Sequence, residues 1–113
     1  MAELDSMQFK YHNKMVDKAG EVRRGASVHK DGERIARLTM FPHTGEIDRL
    51  WVAEDHRRQG LATHLYNYTK QMSEEMGVPG PKHSPRMTRA GLEWAKSVGG
   101  QMPDKVKIEE DYI

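Results

Sequence analysis

The 113-residue sequence contains no cysteine. Disulfides, thiolate metal sites and a cysteine nucleophile are therefore excluded. It also lacks any apolar run near the roughly 20 residues that a membrane-spanning helix requires. No membrane partner is expected. Residues 1–5, Met1-Ala2-Glu3-Leu4-Asp5, have neither the basic region nor the apolar core of a secretory signal. The expected location is the reducing cytoplasm. An excess of one charge is missing too: 18 Lys and Arg oppose 17 Asp and Glu, for a formal net charge of +1. That argues against a dedicated nucleic-acid-binding domain, while leaving room for a local basic patch. The six histidines are scattered, with no His-x-x-x-His spacing. No metal site is expected.

What is present suits an ordinary soluble domain, with 36% hydrophobic and 31% charged residues. The length fits a single compact domain over residues 1–113. A chain of this size buries only about 60–68% of its unfolded surface, so the core is expected to be modest.

Residues 7–17 read as a first strand anchored by Phe9, Tyr11 and Met15-Val16, and the polar stretch between Gly20 and Gly25 has no clear period. Ala26–Lys30, Asp31-Gly32 and Glu33–Phe41 predict a hairpin, because Asp-Gly tolerates the left-handed angles of a two-residue turn. The second arm puts Ile35, Arg37, Thr39 and Phe41 on one face and Ala36, Leu38 and Met40 on the other. Apolar groups on both faces predict a central strand. Glu46–Val52 predicts another strand, with Leu50 and Val52 on one face and Ile47 and Trp51 on the other. Asp48 and Arg49 are unusual within it. Either that end of the strand is exposed, or these charges line a cleft.

From Leu61 to Met76 the period becomes helical, with Leu61, Leu65, Tyr68, Met72 and Met76 as the expected apolar stripe. Gly77-Val78-Pro79-Gly80-Pro81 ends that helix. A second helix is predicted from about Ala90 to Val98, capped by Thr88 and stopped by Gly99-Gly100. Val106–Ile113 reads as an edge strand or a docked tail. The order is strand, hairpin, strand, helix, loop, helix and a final short strand. It predicts an α/β (α+β) fold with a largely antiparallel sheet flanked by helices.

The functional signal lies between the Trp51 strand and the Leu61 helix, in Ala53-Glu54-Asp55-His56-Arg57-Arg58-Gln59-Gly60. A strand, a tight basic turn and a helix N-terminus make an anion site, since first-turn amides lack helical acceptors and the helix dipole favours negative charge. Gly60 permits close backbone approach. Arg57 and Arg58 add positive charge, and either could reach the ligand. Thr63 offers a hydroxyl one turn further on. A solvated turn before a helix would show the same composition. Neither Gly-x-Gly-x-x-Gly nor the Gly-x-x-x-x-Gly-Lys-[Ser/Thr] phosphate loop is present.

The longer stretch Ile47–Leu65 resembles the acyl-CoA motif of the GNAT (Gcn5-related N-acetyltransferase) family. That motif is an apolar strand followed by [Arg/Gln]-x-x-Gly-x-[Gly/Ala], matched here by Arg57-x-x-Gly60-x-Ala62. The resemblance covers residues 33–76 well and the remainder poorly. It implies an acyl-CoA N-acyltransferase-like fold of reduced size that binds acetyl-CoA and acetylates an amine of a protein or small molecule. In such proteins the loop amides hold the CoA pyrophosphate and the preceding strand runs beside the pantetheine arm. The implied cofactor residues are Leu50, Trp51, Val52, Arg57, Arg58, Gln59, Gly60, Leu61, Ala62 and Thr63.

Acetyl transfer needs a base for the attacking ammonium and stabilisation of charge on the thioester oxygen. The resemblance points to a carboxylate on the strand before the loop, Glu46 or Asp48. His83 is the other candidate base, because imidazole titrates near neutrality. Ser84 could donate to the sulfur or bind substrate. The family's tyrosine acid has no counterpart, since Tyr66 and Tyr68 fall in the first helix and Tyr112 is terminal.

The chain is short for this resemblance, with little room before Val28 for the usual pair of helices. Either another subunit, in a homodimer or with a partner protein, completes the cleft, or the acceptor site is open and admits a large substrate. The competing function is a non-catalytic acetyltransferase-like module that binds another protein. Nucleic-acid binding ranks last: Lys82, Arg86, Arg89 and Lys96 against Glu93 give residues 82–96 a net +3, but Trp94 is their only aromatic.

Overall fold

A computed structural model describes residues 6–100 and 102–109. The chain divides into two compact units, Met1–Pro81 and Lys82–Ile113. The first holds four strands, β1 (Met7–Val16), β2 (Val22–Lys30), β3 (Glu33–Met40) and β4 (Ile47–Val52), followed by helix α1 (Leu61–Met76). The strands form one antiparallel sheet in the order β1-β2-β3-β4. This is the mixed, largely antiparallel architecture expected from the sequence.

The predicted hairpin forms around Asp31 (φ 53°) and Gly32 (φ 82°), the left-handed pair that a right-twisted hairpin requires. β2 starts four residues earlier than Ala26, which assigns most of the unplaced polar stretch. Gly25 lies inside that strand, where a Cβ would collide with the backbone oxygen of Leu38. Between β1 and β2 the Asp17–Glu21 turn leaves no helix among the described residues. Asp17 Oδ1 closes it by accepting from the amides of Ala19 (2.9 Å) and Glu21 (2.8 Å).

Helix α1 packs chiefly on β2 and β3. Under it Ala26, Val28, Ala36, Leu38 and Met40 are fully buried, with Leu61, Leu65 and Tyr66 above them. Burial of each larger aliphatic side chain contributes roughly 1.5–3 kcal/mol. The buried face differs from the stripe expected from hydropathy. It runs through Leu61, Leu65, Thr69 and Ser73, with Tyr66 beside it, while Met76 is 49% exposed. Small side chains at 69 and 73 let the helix approach the sheet, and Thr69 Oγ1 satisfies itself on Leu65 O at 2.7 Å. Tyr68 instead reaches sideways to β1, donating to Phe9 O at 3.3 Å with the two rings 5.4 Å apart.

β4 carries a second correction. Thr39 pairs with Arg49, but Met40 pairs with Ile47, so Asp48 is an extra residue in a bulge. A bulge resets the alternation of the strand. Ile47 therefore shares the helix-covered face with Leu50, rather than the opposite face with Trp51. Glu46, one residue earlier, is set on the face opposite Leu50.

The second unit contains β5 (Arg86–Met87), helix α2 (Arg89–Val98) and β6 (Lys107–Ile108). β5 and β6 are parallel. Thr88 caps α2 as expected, its Oγ1 accepting from Gly91 N at 3.0 Å. The helix ends at Gly99, which has φ 82°. Of the expected core positions Leu92, Trp94 and Val98 are half-buried and Ala95 is buried. The final strand is only two residues long, and Tyr112 lies outside the described residues.

Candidate functional site

β4 is the last strand of its sheet, so one edge faces away from β3. Ala53 N donates to Ile35 O at 2.7 Å. Backbone polar groups alternate sides along a strand, which turns those of Val52 and Leu50 to the outer edge. Val52 O accepts there from Arg57 Nε at 2.9 Å. The side chains of Leu50 and Val52 lie on the helix face opposite Leu38 and Ala36, and Trp51, 43% exposed, lies on the other.

The chain then makes a single 3-10 turn, Glu54–His56, and reaches α1 through two left-handed residues, Arg58 (φ 62°) and Gly60 (φ 76°). For arginine that conformation costs roughly 1–2 kcal/mol. Gly60 is the N-cap of α1 and has no side chain to offer the first-turn amides. No acidic residue occupies that first turn. A Cβ on Gly60 would come no closer than 3.9 Å to His64, so the space over the glycine is open. Arg57, Arg58, Gln59 and Gly60 are exposed, Leu61 is buried as the anchor, and Ala62 and Thr63 are half-buried. Donor groups without a side-chain cap, open backbone above them and the positive end of a 16-residue helix fit a pyrophosphate. Arg57 commits its Nε to the strand, whereas the exposed Arg58 side chain has no partner among the described residues.

The proton-transfer candidates are spread. Glu46 is half-buried just before β4, with its amide on Thr44 Oγ1 at 3.1 Å. Asp48 sits in the bulge, held by Arg23 Nε at 3.2 Å. His83 and Ser84 belong to the second unit. His83 is buried and donates from Nε2 to Gly99 O at 2.6 Å, with its ring edge-on to Trp94 at 5.6 Å. Ser84 Oγ accepts from Arg86 N at 3.1 Å. The structure thus brings Leu50–Val52 and 57–63 together as one continuous strand, loop and helix start, and gives His83 and Ser84 bonds within their own unit. Among the described residues no cluster of histidine and acidic side chains is arranged to hold a metal.

The sequence reading missed a cavity of about 730 Å³ on the sheet face opposite α1, lined among others by Arg23, Arg37, Thr39, Asp48 and Arg49. Asp48 and Arg49 are both exposed and cavity-lining, so the two alternatives for this strand end coexist. The missed signal is the pair Arg37 and Thr39, polar residues two apart on a strand that is otherwise mostly apolar. Burial lowers the Arg37 pKa below its ordinary value, and the nearby Arg34 and Arg49 guanidiniums lower it further.

No protein of curated function matches the chain in sequence. Solved structures match its fold. A GNAT protein from Ralstonia eutropha JMP134 is 18% identical at TM-score 0.59, covering 78% of this chain and 65% of that one. A GNAT-like protein from Streptococcus suis 89/1591 is 15% identical at TM-score 0.64, covering 88% and 48%. A Bacillus anthracis str. Ames protein, solved in complex with acetyl coenzyme A, is 12% identical at TM-score 0.54, covering 84% and 73%. This chain therefore spans about two thirds of the first of these and about half of the second. The sequence itself matches the acetyltransferase (GNAT) family over residues 5–80, a span that takes in the whole sheet, the left-handed loop and α1, and the chain belongs to that family.

Proposed function

We propose that this protein transfers the acetyl group of acetyl-CoA to a primary amine. The observation that carries the reading is the loop geometry: Arg58 and Gly60 in left-handed conformations before an uncapped helix N-terminus, directly after a strand with an outward backbone edge. Amides at the start of α1 bind the pyrophosphate, Arg58 adds charge, and the outer edge of Leu50–Val52 orients the pantetheine arm. When bound, acetyl-CoA supplies an acetyl group activated as a thioester.

Among the candidate bases Glu46 is the strongest. Its carboxylate has no hydrogen-bond partner among the described residues, and it stands just before the strand that leads to the loop. Asp48 is engaged by Arg23 and is the second candidate. His83 and Ser84 follow, with their bonds to Gly99 and Arg86 to give up. The base removes one proton from the acceptor ammonium.

Calorimetry with acetyl-CoA tests the cradle. The intact protein is expected to bind, and Gly60→Val, which forces a branched residue to φ 76°, is expected to weaken binding at least tenfold. No binding by the intact protein removes the reading. CoA release with a panel of amines then separates an enzyme from a non-catalytic acetyltransferase-like module. Glu46→Gln is expected to lower turnover about 100-fold, in the range of general-base loss. Turnover unchanged in Glu46→Gln would transfer the role to Asp48 or His83. We further propose a homodimer in the cytoplasm; no described helix is long and apolar enough to cross a membrane. Light scattering of the purified protein tests the dimer, and a monomeric mass removes it.

A further inference from the structure

The sheet face opposite α1 carries chemistry that acetyl-CoA binding does not use. Thr39 lines the cavity and is only 7% exposed, and its Oγ1 is fully buried without a hydrogen-bond partner. Leaving a buried hydroxyl unpaired costs free energy, which a hydrogen bond to a bound ligand recovers. Arg49 is the direct cross-strand neighbour of Thr39, and Arg37 is two residues from Thr39 on the same face. Neither guanidinium has an ion-pair or hydrogen-bond partner among the described residues. Each carboxylate of the cavity already has one oxygen engaged. Asp48 is taken by Arg23, which also lies 4.5 Å over the Phe41 ring, and Asp17 closes its own turn. Three cations without an ion-pair partner among the described residues, Lys18, Arg37 and Arg49, thus line the cavity with Thr39, beside an apolar wall of Met15, Val16 and Ala19.

We propose that this cavity seats the carboxylate or phosphate of a small amine, so that the acceptor is itself an anion-bearing amine and not a polycation. The inference rests on the acetyl-transfer reading for the word acceptor, and on the cavity alone for the word anion. Arg37 and Arg49 grip the anionic group as charge-assisted donors, and Thr39 Oγ1, buried in the unliganded chain, adds a third bond when its side chain rotates toward the cavity. Asp48 and Arg49 immediately precede Leu50–Val52 on β4, so a ligand held here lies against the strand proposed to carry the pantetheine arm. The volume of about 730 Å³ suits a small molecule. A polyamine meets like charge from Arg37 and Arg49, which opposes its binding.

Binding without CoA tests the proposal on the full chain. The probes are L-leucine, 3-methylbutylamine (the same skeleton without its carboxylate), O-phosphoethanolamine and spermidine, titrated into ¹⁵N-labelled protein. L-leucine or O-phosphoethanolamine is expected to shift the amides of Thr39 and Arg49 saturably, and the two amines that carry no acid group to bind at least tenfold more weakly. Arg49→Gln, at an exposed position, and the near-isosteric Thr39→Val are each expected to weaken the binding about tenfold while the melting temperature stays within a few degrees. Equal binding of L-leucine and 3-methylbutylamine, no binding of any probe, or full binding by both variants overturns the proposal. Acetyl-CoA calorimetry on the same sample keeps the two readings apart. No CoA binding with L-leucine or O-phosphoethanolamine bound removes the transferase and leaves the anion site; CoA binding with neither of the two bound removes the anion site.

Discussion

Arg57 Nε donates to Val52 O at 2.9 Å, so the first residue of the basic motif holds the end of the strand that precedes it. The guanidinium that resembles a phosphate ligand in sequence serves here as a clamp between strand and loop. Replacing it with Ala is expected to cost about 1 kcal/mol, roughly a fivefold weaker acetyl-CoA Kd. Arg57→Lys is expected to rescue little, because an ammonium lacks the planar Nε donor. Full rescue by Lys in calorimetry would show that net charge, and not the clamp, is what matters.

The burial of α1 predicts an asymmetry between two apolar residues of one helix. Leu65 is fully buried and Met76 is 49% exposed. Leu65→Ala is expected to destabilise by about 2–5 kcal/mol, and Met76→Ala by about 0.5 kcal/mol or less. Denaturant titration of the two variants decides it. Equal losses would restore the stripe read from hydropathy.

Ser27 Oγ lies between two imidazoles, 2.8 Å from His12 Nε2 and 3.0 Å from His29 Nε2. Burial lowers the pKa of His12 below 6.5, and His29, Lys10 and Arg34 lower it further; burial, Lys10 and Arg34 do the same for His29. With folded pKa values below the unfolded one, the unfolded chain takes up protons first as pH falls. The stability is therefore fully present above about pH 6.5 and is lost as pH drops through the lowered folded values. Thermal melts from pH 7.5 to 5 should show a falling Tm, with a shallower slope in His12→Gln. An unchanged slope in that variant would remove His12 from the effect.

We propose that residues 1–113 behave as one domain, since a chain this short leaves each part a very small core. The sequence has two tryptophans, Trp51 in the first compact unit and Trp94 in the second. In Trp51→Phe the remaining fluorescence reports on Trp94 alone. Its unfolding transition is expected to coincide with the far-ultraviolet circular dichroism transition. Separated midpoints would make the units independent domains.

Local features were legible because their causes are local. Asp31-Gly32 names its turn by backbone angle, Thr88 its helix start by a hydroxyl, and Gly99 its helix end by a left-handed φ. The helix limits Leu61–Met76 agree for the same reason. The inward face of that helix was misread because hydropathy cannot weigh Thr69 and Ser73, whose small size suits close approach to a sheet. The faces of β4 were misread because a single bulged residue, Asp48, depends on pairing with β3 and leaves no mark in the strand's own composition.

Arg57 through Ala62, with the strand before it and the helix after it, is determined by sequence alone, since a left-handed glycine and an uncapped helix start need only neighbouring residues. Family membership rests on the longer match over residues 5–80, which contains that stretch. The convergence of Arg37, Thr39 and Arg49 was decided only by the tertiary structure. Its members lie on different strands, and cross-strand register is set by long-range pairing that no window of sequence contains.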